Sequence, residues 1–244
     1  MTLAFTPPSL ALSVAKPPEG DHWLHEIKFD GYRIQAIVEN GSARLMTRSG
    51  RDWTMRFGSL ARAVAALPVA SAVIDGEAVV LDGKGVSRFE MLQAELKLAA
   101  SDHIVLMTFD LLHLDHHDIG RRPLLERKAL LVDIFARRSP THGRIHFVDH
   151  MTGNGRKMLA EACIMGLEGI VSKRGDRPYR SGRHSDWTKT KCANRAHSLS
   201  WATPHRKTRT PRRRPVARLL RREFAYLCRQ GWDRIQGRRG ASHG

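Results

Sequence analysis

Along most of this chain, apolar and polar positions recur in short blocks whose period switches between that of strands and that of helices. Residues 23–25 and 32–39 carry apolar and β-branched residues in strand-like fashion. Asn40-Gly41 follows, a strong type I′ turn signal, and 43–47 returns as the second arm of a hairpin. The period then lengthens, with Phe57, Leu60, Val64 and Leu67 on one helical face over 57–67. Within 72–82, two apolar strand segments flank Asp75-Gly76-Glu77. Residues 89–98 read as a helix and 103–112 as a buried strand. Pro123 opens a helix that runs to residue 136, with Leu130, Leu131, Ile134 and Phe135 as core. Residues 145–148 form a short strand, and 156–165 a helix terminated by Gly166. The block 166–174 reads as a strand entered through Glu168-Gly169, and 187–191 is a last strand. Strands and hairpins interleaved with helices predict an α+β fold. Residues 1–22, with Pro7, Pro8, Pro17 and Pro18, read as an extended lead-in, 23–191 as the folded domain and 192–244 as an irregular tail.

Composition narrows the class. Hydrophobic residues make up 41% of the 244, with no apolar run of membrane-spanning length, so no membrane partner is expected. The first 16 residues lack the basic start and continuous apolar segment of a signal peptide. Cys163, Cys192 and Cys228 are an odd number at wide spacing without a C-x-x-C, which argues against a disulfide scaffold or zinc site and fits a reducing cytoplasm. The net charge of +17 points to a polyanionic partner such as nucleic acid. Most of it lies in 192–244, which holds 14 Lys/Arg against 2 acids.

The candidate chemistry begins in Glu26-Ile27-Lys28-Phe29-Asp30-Gly31-Tyr32-Arg33, a K-x-D-G-x-R spacing at a strand end. A lysine there is a nucleophile only once it has lost its proton, which burial, a neighbouring cation such as Arg33, or a metal ion favours. Gly31 permits a sharp turn or a close approach. Arg48 stands in a polar loop with Gly50. Glu77, an acid embedded between apolar strand segments, requires a partner, because burying an unpaired carboxylate is costly. Phe109 is by default a core aromatic. His113, His116 and His117 with Asp115 and Asp118 share one polar loop but lack a standard metal-ligand spacing. Lys189 and Lys191, two apart in a strand, face one side, a geometry suited to phosphates.

Each of these motifs is weak alone. In order, K-x-D-G-x-R, D-G-E, F-D-x-L, E-G-I-V-x-K and K-x-K resemble the covalent nucleotidyltransferases: ATP-dependent DNA ligases, with RNA ligases and mRNA capping enzymes as relatives. The resemblance is closest to the ligase domain of the bacterial ligase D type, used in non-homologous end joining, and covers about residues 5–191. It implies an ATP-grasp-like nucleotidyltransferase domain of twisted, mainly antiparallel sheets with flanking helices and a nucleotide cleft. It implies ATP and Mg²⁺ (or Mn²⁺) as cofactors, with Lys28 as the nucleophile that becomes bonded to AMP. Glu26 would recognise adenine through its backbone or side chain, and Phe109 would stack on it. Arg33, Arg48 and Glu77 would hold the ribose and DNA ends. Glu168, with Glu77, would bind the metal, and Lys189 and Lys191 would contact the α-phosphate. The implied partners are nicked or broken duplex DNA and end-joining proteins, in a bacterial cytoplasm at the nucleoid. An inactive DNA-binding relative and an RNA ligase or capping-type transferase are the alternatives.

After Lys191 a ligase of this family enters an OB-fold domain, and residues 192–244 do not resemble one. Residues 197–203 and 228–236, reverse-translated and read in shifted frames, spell peptides similar to parts of that domain. The tail is therefore read as a frameshifted OB remnant, and sealing activity is expected to be impaired.

Overall fold

A computed structural model of the chain describes residues 3–98, 102–137 and 143–192. Its strands are β1 (Ser9–Ser13), β2 (Trp23–Ile27), β3 (Tyr32–Glu39), β4 (Ser42–Thr47), β5 (Ser71–Val80), β6 (Ile104–Leu114), β7 (His117–Asp118), β8 (Ile145–Phe147), β9 (Met151–Thr152), β10 (Gly169–Arg174) and β11 (Gly182–Lys191). Its helices are α1 (Gly58–Ala65), preceded by a 3₁₀ turn over Thr54–Phe57, α2 (Phe89–Lys97), α3 (Leu124–Ala136) and α4 (Gly155–Ile164). They build two sheets. The first has the order β1-β11-β10-β2-β9, the second β4-β3-β5-β6-β7 with β8 beside β6. Only the β1–β11 and β6–β8 pairings are parallel among the described residues.

The predicted elements are found where local chemistry is decisive. Asn40 and Gly41 have φ of 49° and 73°, the double left-handed pair that a type I′ hairpin needs. Phe57, Leu60 and Val64 are completely buried against the second sheet, each stabilising by about 1.5–3 kcal/mol. Gly166 ends α4 with φ 72°. Asp115 turns the chain between β6 and β7, its carboxylate accepting from the Ala70 amide at 2.8 Å. That gives one member of the His/Asp loop a structural role.

Three features differ from the sequence expectation. Part of the lead-in, β1, is an edge strand paired in parallel with β11. Prolines flank it, and an edge strand tolerates them. The segments around Asp75-Gly76-Glu77 are one continuous strand, β5, whose pairing with β6 shifts register between Asp75 and Gly76. The extra residue is Phe109 on β6, and Asp75 and Glu77, two apart on β5, lie in the middle of the sheet between β3 and β6. Lastly, Cys163 and Cys192 form a disulfide, contrary to the expectation from their spacing. The turn at Gly166–Leu167 and the β10–β11 hairpin bring the end of α4 to the end of β11, a contact that sequence separation hides. The frameshifted-OB reading of 192–244 concerns residues that, beyond Cys192, lie outside the described ones. No helix among the described residues is long and apolar enough to cross a membrane.

Candidate active site

β2, β10 and β11 lie side by side, and their pairing stacks three rows of residues across the first sheet. Lys28, just past β2, donates its amide to Gly169 at 3.0 Å, and Gly169 pairs with Lys191. Glu26 pairs with Val171, and Val171 with Lys189. Leu24 pairs with Lys173, and Lys173 with Trp187. Since side chains alternate along a strand, the two-residue spacings of E-x-K, G-x-V-x-K and W-x-K-x-K put their chemistry on one face.

Opposite that face the second sheet presents Arg33 from β3, Glu77 from β5 and Phe109 from β6. Together these residues line a cleft with Ala11, Ile27 and Phe29. The crossover 28–31 joins the two sheets, and Gly31 makes it possible. A Cβ there would run into the Ala78 carbonyl and come within 2.7 Å of Val79 Cγ1. The close approach is to β5 of the same chain.

Gly169 leaves a gap in the first row, and the Glu168 carboxylate fills it. Glu168 Oε2 pairs with Lys28 Nζ, and Oε1 lies 3.0 Å from Lys191 Nζ. Burial pushes the Glu168 carboxyl up, but the bonds and charges of Lys28 and Lys191 outweigh it and hold it below the usual range. Burial, with Lys28 and Lys191 nearby, lowers the Lys189 ammonium. Glu77 forms no ion pair among the described residues. Burial pushes its carboxyl up to about 7, against the pull of Arg33 and Lys28.

A second cluster lies deeper. Glu26, Lys128 and Lys173 have side chains only 1–2% exposed, so their charges face one another and not water. Glu26 Oε1 is 2.6 Å from Lys128 Nζ and Oε2 is 2.5 Å from Lys173 Nζ. The Lys173 ammonium also stands 3.9 Å from the Phe109 ring centre and 4.2 Å from that of Trp187. Arg33 lies over the same Phe109 ring at 4.4 Å, held there by both oxygens of Asp75 at 2.6 Å. Tyr179 donates a further bond to Asp75 at 2.7 Å. Asp110, the acid of F-D-x-L, is bound by the buried Arg127 fork at 2.8 Å and is a structural residue.

The predicted residues Glu26, Lys28, Arg33, Glu77, Phe109 and Lys189 therefore converge on the cleft, with Glu168 and Lys191 at its Lys28 end. Arg48 does not line it. This residue is exposed and follows Thr47, which pairs with Ile34, so it stands at the rim beside Arg33. Sequence reasoning missed Asp75, Lys128, Lys173 and Trp187. Lys128 had a signal, since it falls on the helical face of Leu124 and Leu131, both buried.

Comparison with known proteins agrees with this geometry. A profile described as ATP dependent DNA ligase domain matches residues 8–191. The chain is 39% identical over 185 residues to the multifunctional non-homologous end joining protein LigD of Pseudomonas aeruginosa, covering 76% of this chain and 22% of that protein. It is 35% identical over 201 residues to a probable DNA ligase of Beutenbergia cavernae, covering 78% and 38% respectively. The chain thus spans about a fifth of the length of the LigD relative. Among solved structures, a mycobacterial DNA ligase D complexed with ATP and MES aligns with a TM-score of 0.68 at 32% identity, over 77% of this chain and 60% of that one. The ligase domain of Mycobacterium tuberculosis LigD aligns with a TM-score of 0.65 at 32% identity, over 75% and 60%. This chain belongs to the ATP-dependent DNA ligase domain family, and ligase D proteins are among the relatives it resembles.

Proposed function

We propose that this domain transfers AMP from ATP to Lys28 and then to the 5′-phosphate of a DNA break, which the neighbouring 3′-hydroxyl closes. The observation that carries the reading is the row Lys28–Gly169–Lys191 with Glu168 between the two ammonium groups. In the first step the Lys28 amine, having lost its proton, bonds to the α-phosphorus. The bond to the bridging oxygen breaks and pyrophosphate leaves. Glu168 serves as an orienting counter-ion for Lys28, because a carboxylate held below the usual range is a poor base. Lys189 and Lys191 offset charge on the phosphate, the dominant contribution to such transfers.

The base lies against Phe109, and Glu26 acts on it through Lys173 and its own backbone, since both carboxylate oxygens are held by ammonium groups. Arg33, fixed by Asp75, and Arg48 at the rim face the ribose and the DNA. Residues 23–191 then act as the catalytic unit, with β1 completing its sheet, and 192–244 as a basic appendage.

Glu77 and Glu168 would hold a divalent ion. The donor set fits: Mg²⁺ is commonly held by one or two carboxylates plus substrate phosphates, and Glu77 is a half-buried acid lacking an ion pair among the described residues. When bound, the ion supplies positive charge to the phosphates. We place the protein in the cytoplasm, acting on nicked or broken duplex DNA alongside end-joining proteins. Single-turnover assays on a nicked duplex test the function, comparing ATP with a pre-adenylated nick. Sealing of both substrates is expected, with the pre-adenylated nick bypassing the Lys28 step. No sealing of either substrate would refute the sealing function.

A further inference from the structure

The cluster of Glu26, Lys128 and Lys173 carries one more positive than negative charge in a place closed to water. Of the ionic groups nearby, Asp149 is near enough to act on Lys128 and Glu26 but lies half-exposed outside the closed cluster, its carboxyl pushed up by burial. Asp110 belongs to Arg127, and Arg33 to Asp75. His150, which also borders the cluster, is held neutral over the working range, its imidazole brought down to about 3 chiefly by burial.

The two lysines are held unequally. Lys128 comes from α3, outside the cleft, and is fully engaged: Glu26 Oε1 at 2.6 Å, the Val148 carbonyl at 2.8 Å and the Phe147 ring at 4.6 Å. Lys173 has only Glu26 Oε2 and the faces of Phe109 and Trp187, with no hydrogen-bond acceptor well placed for it among the described residues. Without Lys128, both oxygens of Glu26 would be open to the Lys173 ammonium. Lys128 prevents that by occupying one of them.

We propose that Lys128 is a positioning residue for base recognition: by holding one oxygen of Glu26 it leaves Lys173 singly held, with spare N–H donors turned into the cleft where the base lies. The inference rests on the reading above that the base lies against Phe109. Donors presented there suit the ring-nitrogen acceptors of a purine. The state of Lys173 agrees with the geometry. Burial, opposed by Glu26 and reinforced by Lys128, brings its ammonium down to about 8.

The probe is adenosine, which has no phosphate for Lys189 or Lys191 to bind. Its affinity is measured by nuclear magnetic resonance titration between about pH 7 and pH 10, across the lysine range. Wild-type affinity should weaken as pH rises through the neighbourhood of the Lys173 ammonium. In Lys128→Met, Lys173 gains sole possession of Glu26. Affinity at neutral pH should fall about tenfold, and the pH limb should move upward, a shift that a merely structural lesion does not produce. Lys128→Leu, which likewise offers Glu26 no donor, should show the same two changes and serves if the methionine variant does not fold. A folded variant with wild-type affinity and an unmoved limb overturns the role of Lys128. A wild type that binds ATP but no adenosine overturns the base site itself, and this inference with it.

Discussion

Replacing Asp75 by asparagine keeps the shape of a fully buried side chain and removes its charge. The carboxylate accepts two bonds from Arg33 at 2.6 Å and one from Tyr179 at 2.7 Å. Asparagine retains one acceptor oxygen but turns an amide N–H₂ toward either the guanidinium or the Tyr179 hydroxyl. The Arg33 side chain, 18% exposed, is left as a largely desolvated cation over Phe109. Removing one partner of such a pair costs about 3–5 kcal/mol, a large part of the roughly 5–15 kcal/mol that stabilises a typical domain. With a urea dependence of about 2 kcal/mol per molar, the midpoint should fall by about 1.5–2.5 M. Urea unfolding of Asp75→Asn, Arg33→Met and the double variant closes a cycle. The double variant should be more stable than the sum of the single penalties implies, by at least about 2 kcal/mol, because no buried charge is orphaned in it. An Asp75→Asn penalty under about 1 kcal/mol, or strict additivity, would refute the reasoning.

Three other outcomes follow from particular contacts. Gly31→Ala should cost about 1–3 kcal/mol of stability by overpacking, since its Cβ would meet backbone at Ala78, and should reduce adduct formation by displacing the crossover; an unaffected melting temperature would show that the crossover has slack. Cys163 and Cys192 are 29 residues apart, and closing a loop of that length is worth about 3–4 kcal/mol in the chain-entropy account. Cys192→Ser should therefore lower the melting midpoint in oxidising buffer and leave it unchanged under reductant; equal midpoints in both would show that the bond contributes nothing. Deleting 193–244, which holds 14 Lys/Arg against 2 acids, should weaken binding to duplex DNA and flatten its salt dependence; identical slopes for the full and shortened chains would make those residues bystanders.

The site was legible wherever its chemistry repeats with the period of a strand. Lys189 and Lys191 stand two apart, so motif spacing alone puts that pair on one face. What spacing could not supply was the register between strands. It sets Gly169 between Lys28 and Lys191, and so puts Glu168 in contact with both. Lys128 went unread because a lysine on an amphipathic helix is ordinarily solvated, and only its partner Glu26, 102 residues away, makes its burial tolerable. A buried carboxylate needs a partner, and of the two acids of D-G-E it is Asp75 that has one, in Arg33 reaching across from β3, a contact that the string does not show. Arg48, an exposed turn residue one step past the Thr47–Ile34 pair, shows what spacing cannot supply: how far a matching residue stands from the cleft lining.

The central claim is that Lys28 is the residue that takes AMP. Incubation with a divalent ion and ATP labelled at the α-phosphate, followed by proteolysis and mass spectrometry, measures it directly. One label should appear per chain, on the peptide containing Lys28, with none from γ-labelled ATP and none in a folded Lys28→Ala variant. Undiminished label in that variant, or label on Lys189 or Lys191 in the wild type, would contradict the account.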